Sequence, residues 1–422
     1  MRMDSDREDD RLASLAVVLP LAVAGFVIAA GCWTLFAVAG VHLRAELDLS
    51  SLQFGLLLAM PMAGSAVLAI PAGLAAQKFG ARTVMLTCLA GLAVCMVILL
   101  TTDTFAGYLI AASGLGLAGG FYSAGLQFVT WHCRPAHLGV ALGLFGAGVT
   151  GAGFNYYLVP LFHEAFSWHG VPLAYLIVLI LLLSLLTMLT EEGDAEADPS
   201  AETSIRVLFG RLQQTRALQL CGFFGVMAGS FFALALWLPD YFSSQFDVGV
   251  ESGARLSQWF VIPGALAQVL GGALSDRFGS ARVVSRSLVV CLAALFVLSY
   301  PPMTLFIRGV DTTIEIEFSL PLLFESGFIV VLGMALGCSM GSLQRLVIGG
   351  HRTMTAFVGG LLLVSACSVA FVLPVLFGAA NHWLGIRSTV FMILFMLLAA
   401  CLLLFSMDNR RQERDQFLQR GI

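Results

Sequence analysis

Glu325 is the one acidic side chain set well inside an apolar run, Pro321-Leu322-Leu323-Phe324-Glu325-Ser326-Gly327. A carboxylate there could carry a proton or hold a cation; near the outer end of its run it would instead simply meet water. The loop before it holds Asp311, Glu315 and Glu317, which either attract cations or form an ordinary solvated turn. Gln268, Asn155, Tyr156, Tyr122, Ser326 and Ser339 are neutral hydrogen-bonding side chains within apolar runs, able to contact a solute or to bond neighbouring helices.

A charged constellation occurs twice. Gly73-Leu74-Ala75-Ala76-Gln77-Lys78-Phe79-Gly80-Ala81-Arg82 returns as Gly272-Ala273-Leu274-Ser275-Asp276-Arg277-Phe278-Gly279-Ser280-Ala281-Arg282, the two Phe-Gly turns lying 199 residues apart in a chain of 422. The duplication reads as a parallel internal repeat of a membrane protein. In the second copy, the Asp276 carboxylate ends an apolar run beside Arg277. It could pair with Arg282 or Arg286, or face a helix N-terminus from the other half, and so act as a gate that shuts one side. In the first copy Lys78 and Arg82 remain, but Gln77 stands where Asp276 does, without the acidic charge. The alternative is that both copies only mark topology.

Other chemistries have little support. There is no phosphate-binding glycine loop and no nucleophile motif, so no cofactor is implied. A net charge of −4 without a basic patch points away from nucleic acid. The nine cysteines include no CxxC pair and read as small reduced core residues. The histidines lie in or beside loops; His163, Glu164 and His169 are close enough in sequence for a metal spot, but loop histidines are common and no metal site is assigned. Glu251 and Arg255, four apart, read as a surface pair.

These residues must be positioned by membrane helices. The chain is 59% hydrophobic and only 11% charged, and its charges fall between apolar runs long enough to cross a bilayer. Twelve spans are expected, near residues 14–40, 53–77, 83–101, 106–130, 137–162, 170–190, 216–239, 253–275, 283–301, 319–344, 354–380 and 387–406. The fold class is therefore an all-α membrane protein with two pseudo-symmetric six-helix bundles. The organisation is a tail (1–13), a first bundle (14–190), a polar flexible linker (191–215), a second bundle (216–406) and a tail (407–422). The acidic Met1–Arg11 segment lacks a signal-peptide pattern, so the first run is expected to be a retained helix. With an even span count, 18 of the 22 Lys and Arg residues fall on the side of the termini, which is then cytoplasmic. The glycine clusters at Gly114–Gly120 and Gly143–Gly153 suit close helix packing.

Several segments together resemble the major facilitator superfamily, and within it the nitrate/nitrite porters of the NarK type. They include Leu49-Ser50-Ser51-Leu52-Gln53-Phe54-Gly55-Leu56-Leu57 with Pro61 and Pro71, Ser113-Gly114-Leu115-Gly116-Leu117-Ala118-Gly119-Gly120-Phe121, and Gly143-Leu144-Phe145-Gly146-Ala147-Gly148. Leu236-Trp237-Leu238-Pro239-Asp240-Tyr241 and Phe371-Val372-Leu373-Pro374 extend the likeness into the second half. The resemblance implies transport by rocking two halves about a midplane site. It also exposes departures: where the porters have anion-binding arginines this chain has Ala69 and Gln268, and where they have asparagines it has Val149 and Met340. An arginine fork suits planar nitrate, and an uncompensated anion at the midplane is costly. The expected substrate is thus a small inorganic ion other than nitrate, with a proton or counter-ion as candidate co-substrate, in a bacterial inner membrane. Three alternatives stand: a metal-ion carrier of a magnetosome-type membrane, since the chain is similar in outline to MamH-kind proteins thought to move iron; a nitrate/nitrite transporter; and a non-transporting receptor or scaffold.

Overall fold

The computed structural model describes residues 2–38, 43, 48–49, 51–190, 204–213, 216–301, 303–308, 313–318 and 320–420. The architecture follows from the bilayer as solvent, where backbone groups must be satisfied within each segment and helices are the simplest solution. Among the described residues, eleven helical stretches are long and apolar enough to cross: Val17–Val38, Gly55–Phe79, Ala81–Thr101, Phe105–His132, Pro135–Phe166, Trp168–Leu189, Ala217–Phe246, Ser280–Leu298, Leu322–Gly350, Arg352–Leu384 and Thr389–Gln412. The helix Val250–Phe278 makes the twelfth and stands eighth in order. Its hydropathy is diluted by Glu251, Arg255, Gln258, Gln268, Asp276 and Arg277. It is accommodated because it packs against the fifth, seventh and tenth spans.

The fifth and sixth spans belong to one helical run, Thr150–Leu189. A straight helix would hold Asn155 and Tyr175 about 30 Å apart, yet the Tyr175 hydroxyl donates to Asn155 Oδ1. The chain therefore doubles back between them.

The repeated turns take matching shapes. Gly80 has φ 90° and ψ 143°, and Gly279 has φ 87° and ψ 133°. This is a region that only glycine occupies without strain, which explains why each Phe is followed by glycine. Each turn joins two antiparallel spans at one side of the molecule, here termed the turn face.

The all-α, twelve-span plan holds, and three details differ from expectation. In the loop before the tenth span, Met303–Arg308 and Thr313–Phe318 pair as an antiparallel hairpin, with Met303 opposite Phe318 and Glu315 opposite Phe306. Asp311 lies outside the described residues. Part of the polar linker is ordered, since Ile205–Gln213 is a helix with Leu208 and Leu212 buried; residues 191–203 lie outside the described set. The tenth span continues to Gly350 rather than ending at residue 344.

The halves meet along two seams of small residues, the fifth span against the eighth helix and the second against the eleventh. A β-carbon on Gly139 would stand 2.3 Å from the Gly272 carbonyl oxygen, and one on Gly143 2.5 Å from that of Gln268. On the other seam, a β-carbon on Gly73 would stand 2.4 Å from the Ala356 oxygen and one on Gly360 2.8 Å from that of Ala69. Backbones touching this closely exclude any larger residue, and such contact drives helix association in lipid.

Candidate substrate site and latch between the halves

The fifth span carries the site. Its first segment, Leu138–Gly146, tightens into a single 3-10 turn, Ala147–Val149, before the helix resumes at Thr150. The Thr150 N–H turns to Ala147, where an unbroken α-helix would send it to Gly146. The Gly146 carbonyl is met instead by Gln268 Nε2, which donates across the seam at 3.0 Å. Only the amide NH2 can face a carbonyl, so this bond fixes the Gln268 side chain with Oε1 turned the other way.

A second carboxamide reaches the same spot from the tenth span. Gln344 is fully buried, and its Nε2 donates to the Tyr122 hydroxyl at 2.5 Å. Tyr122 is wedged against Phe26 and Phe145, with ring centroids 5.2 and 5.9 Å away. Gln268 Oε1 and Gln344 Oε1 converge over the bare Cα of Gly146, 2.3 and 3.2 Å from where a β-carbon would stand. The Gln344 oxygen has no hydrogen-bond partner. The cluster thus joins Tyr122 and Gly146 of the first half to Gln268 and Gln344 of the second, with no ionic group among them.

Of the positions that differ from the porters, Val149 closes the 3-10 turn after Gly146, and Met340 precedes Gly341, which packs on the Gln268 backbone. The 199-residue offset between the turns also carries Ala69 onto Gln268, so the two are repeat-related and each sits on a seam between the halves. Ala69, Val149 and Met340 are buried and apolar.

Other expected site residues fall elsewhere. Asn155 Nδ2 donates to the Gly31 carbonyl at 2.6 Å and to Thr34 Oγ1 at 3.0 Å, while its Oδ1 accepts from Tyr175. It ties the first, fifth and sixth spans together and does not face the cluster. Tyr156 donates to the Ala235 carbonyl at 2.6 Å, a contact between the halves about 15 Å along the helix from Gly146. There Trp33 also meets Phe232 edge-on. Glu325 lies in the first turn of the tenth span, buried, with the Tyr241 hydroxyl donating to its carboxylate. It is about 28 Å along the helix axis from Gln344.

Toward the turn face the halves are latched. The Asp276 carboxylate accepts the Gly139 and Val140 N–H groups, each at 3.0 Å. These are unsatisfied donors at the start of the fifth-span helix, where the dipole favours an anion. The arginine that reaches Asp276 is Arg345, at 2.8 Å, not Arg282 or Arg286. Arg345 extends to the Pro135 carbonyl at 3.3 Å, and Arg352 donates to the carbonyls of Thr130 and Cys133 at 3.0 and 2.9 Å. Arg82 stays within the first half, capping the sixth span through Thr190 Oγ1 and the Thr187 carbonyl. Lys78 and Arg277 lie over the rings of Phe79 and Phe278.

Gln344, Arg345 and Arg352 were not among the sequence-derived site residues. Arg345 resembles a span-ending charge, and that reading cut the tenth span at Gln344. Among the described residues no three metal-ligating side chains converge; the His163 side chain lies outside them.

Two helical halves, built of helices long and apolar enough to cross a bilayer and meeting at a buried polar cluster, are those of an integral multi-pass membrane protein of the secondary-transporter class. The chain belongs to the Major Facilitator Superfamily, whose family model matches residues 21–370. Among its relatives is a probable nitrate/nitrite antiporter, NarK1, of Thermus thermophilus, 26% identical over 90% of this chain and 89% of that one. Another is a probable nitrate/nitrite transporter, NarK2, of Mycobacterium tuberculosis, 27% identical over 64% of this chain and 69% of the relative. A solved Major Facilitator Superfamily transporter, FucP, in the outward conformation shares the fold, with TM-score 0.73 at 14% identity, covering 93% of this chain and 99% of that one.

Proposed function

We propose that this transporter carries a small solute other than nitrate across a bacterial inner membrane, with both termini cytoplasmic, by alternating access around Tyr122, Gln268 and Gln344. The observation that carries the reading is the neutrality of the cluster. Its three polar side chains are two carboxamides and a phenol, and the repeat-related position opposite Gln268 is Ala69. A buried anion stripped of its partner cation costs about 3–5 kcal/mol, a hundredfold or more in affinity. The porters' arginines would be that partner. The 18 basic residues on the side of the termini support the orientation. The latch, made in part by Asp276, Arg345 and Arg352, would then close the cytoplasmic side.

The rival reading is nitrate or nitrite transport, favoured by the names of the relatives. Uptake of nitrate and nitrite by cells lacking their own porters separates the two. No uptake above the empty-vector level is expected, and restored uptake would overturn the proposal. A metal-ion cargo gains no support from the cluster, which has no carboxylate, thiolate or imidazole.

A further inference from the structure

Resting on the reading that nitrate is not the cargo, we propose that the midplane site selects its solute by accepting hydrogen bonds. The substrate class is then a small solute rich in N–H or O–H donors, cationic or neutral, of the ammonium, guanidinium or urea type. Gln268 Nε2 is committed to the Gly146 carbonyl and Gln344 Nε2 to the Tyr122 oxygen. Both amide nitrogens are therefore turned toward these partners, so the carboxamides offer two carbonyl oxygens beside Gly146, with the Tyr122 O–H as the other free polar group of the cluster. Both carbonyl oxygens point at Gly146, where the fifth span presents no side chain.

One of those oxygens, Gln344 Oε1, is buried and unpartnered. A buried acceptor left empty costs about 1–3 kcal/mol, so the site is poised to be satisfied by a donor. An oxyanion meets the opposite: two carbonyl oxygens facing its own oxygens, with no cationic side chain among Tyr122, Gln268 and Gln344. A donor-bearing solute bridges both carbonyls, and a cationic one also gains from the charge-assisted bonds. The same geometry explains why glutamine at position 268 is not simply a weakened arginine. An arginine only donates, whereas this glutamine, held by Gly146, offers an acceptor. The substitution inverts the polarity of the site rather than erasing it.

The test is binding to purified full-length protein in detergent, read as thermal stabilisation and by equilibrium dialysis. Ammonium, methylammonium, guanidinium and urea are compared with sodium nitrate, nitrite, formate and chloride. At least one donor-bearing probe is expected to bind and none of the sodium salts. Gln344→Leu is expected to lower that binding at least tenfold. Should Gln344→Leu fold poorly, Gln344→Glu keeps the acceptor and adds charge, and is expected to raise affinity for the cationic probes roughly tenfold. Binding of nitrate or nitrite would overturn both this inference and the reading it rests on. Three outcomes would overturn the inference alone: binding of formate or chloride in place of the donors, donor binding unchanged in both variants, or no binding by any probe, which would leave the two oxygens to a bridging water.

Discussion

At the residue scale, the side chains that catch the eye in the sequence are not all those that meet at the centre. Glu325 is the most conspicuous, a carboxylate within an apolar run, but it sits at the start of its helix and takes the Tyr241 hydroxyl. Tyr241→Phe removes a donor from a buried carboxylate and is expected to cost about 1–3 kcal/mol of stability. Thermal unfolding in detergent should register that loss while the affinity for transported solute stays unchanged. Gln344, by contrast, looked like the last residue of a span because Arg345 follows it. A charge can follow without ending the helix because Asp276, from a helix 69 residues away in sequence, receives it. No local pattern announces that partnership. Gln268 stood out through its alignment with the porters' arginine, and its place on the seam between the halves agrees with the repeat. Its direction was not legible, since that depends on the carbonyl freed by the 3-10 turn after Gly146.

At the element scale, the repeated turn was the part of the fold most clearly written in the sequence. Phe-Gly at a 199-residue interval corresponds to two turns with nearly equal positive φ at Gly80 and Gly279. A β-carbon on Gly279 would meet nothing within 4 Å, so Gly279→Ala isolates the backbone cost. A loss of about 1–3 kcal/mol is expected, measured as a lower unfolding temperature; an unchanged value would contradict the strained geometry. The latch is a second element-scale device, and Asp276 supplies its centre with three hydrogen bonds to one carboxylate. Hydrogen bonds to a charged group are each worth about 1.5–3 kcal/mol, so losing even one shifts an open–closed equilibrium roughly tenfold or more. Cys133 is a built-in probe, buried at the end of the fourth span with its carbonyl held by Arg352. In Asp276→Ala, maleimide labelling of Cys133 is expected to rise about tenfold over the parent, with Cys133→Ser as the blank. Equal labelling would mean that the latch does not hold this side shut.

At the scale of the whole molecule, the halves touch at three levels along the fifth span. They are latched at Gly139, share the polar cluster at Gly146, and meet again where Tyr156 reaches Ala235. The halves are thus in contact on both sides of the cluster. The span count and the two-half plan were readable from hydropathy and charge, because the bilayer allows few alternatives. The eighth helix was readable too, although its polar residues make it the least apolar of the set; they are used at the seam, by Gln268 and Asp276. The hairpin strands and the helix Ile205–Gln213 were not expected, although Thr313–Phe318 alternates apolar and polar residues and Ile205–Gln213 is amphipathic; both are short and lie between the long apolar runs, in segments expected as loop and linker. The whole-molecule claim is that a porter scaffold has exchanged a donor-lined anion site for a neutral, acceptor-lined one. It is tested most directly by nitrate flux into proteoliposomes of the purified protein, with the Thermus relative reconstituted in parallel. The account predicts flux no greater than in protein-free vesicles at any nitrate concentration, and a saturable nitrate flux would contradict it.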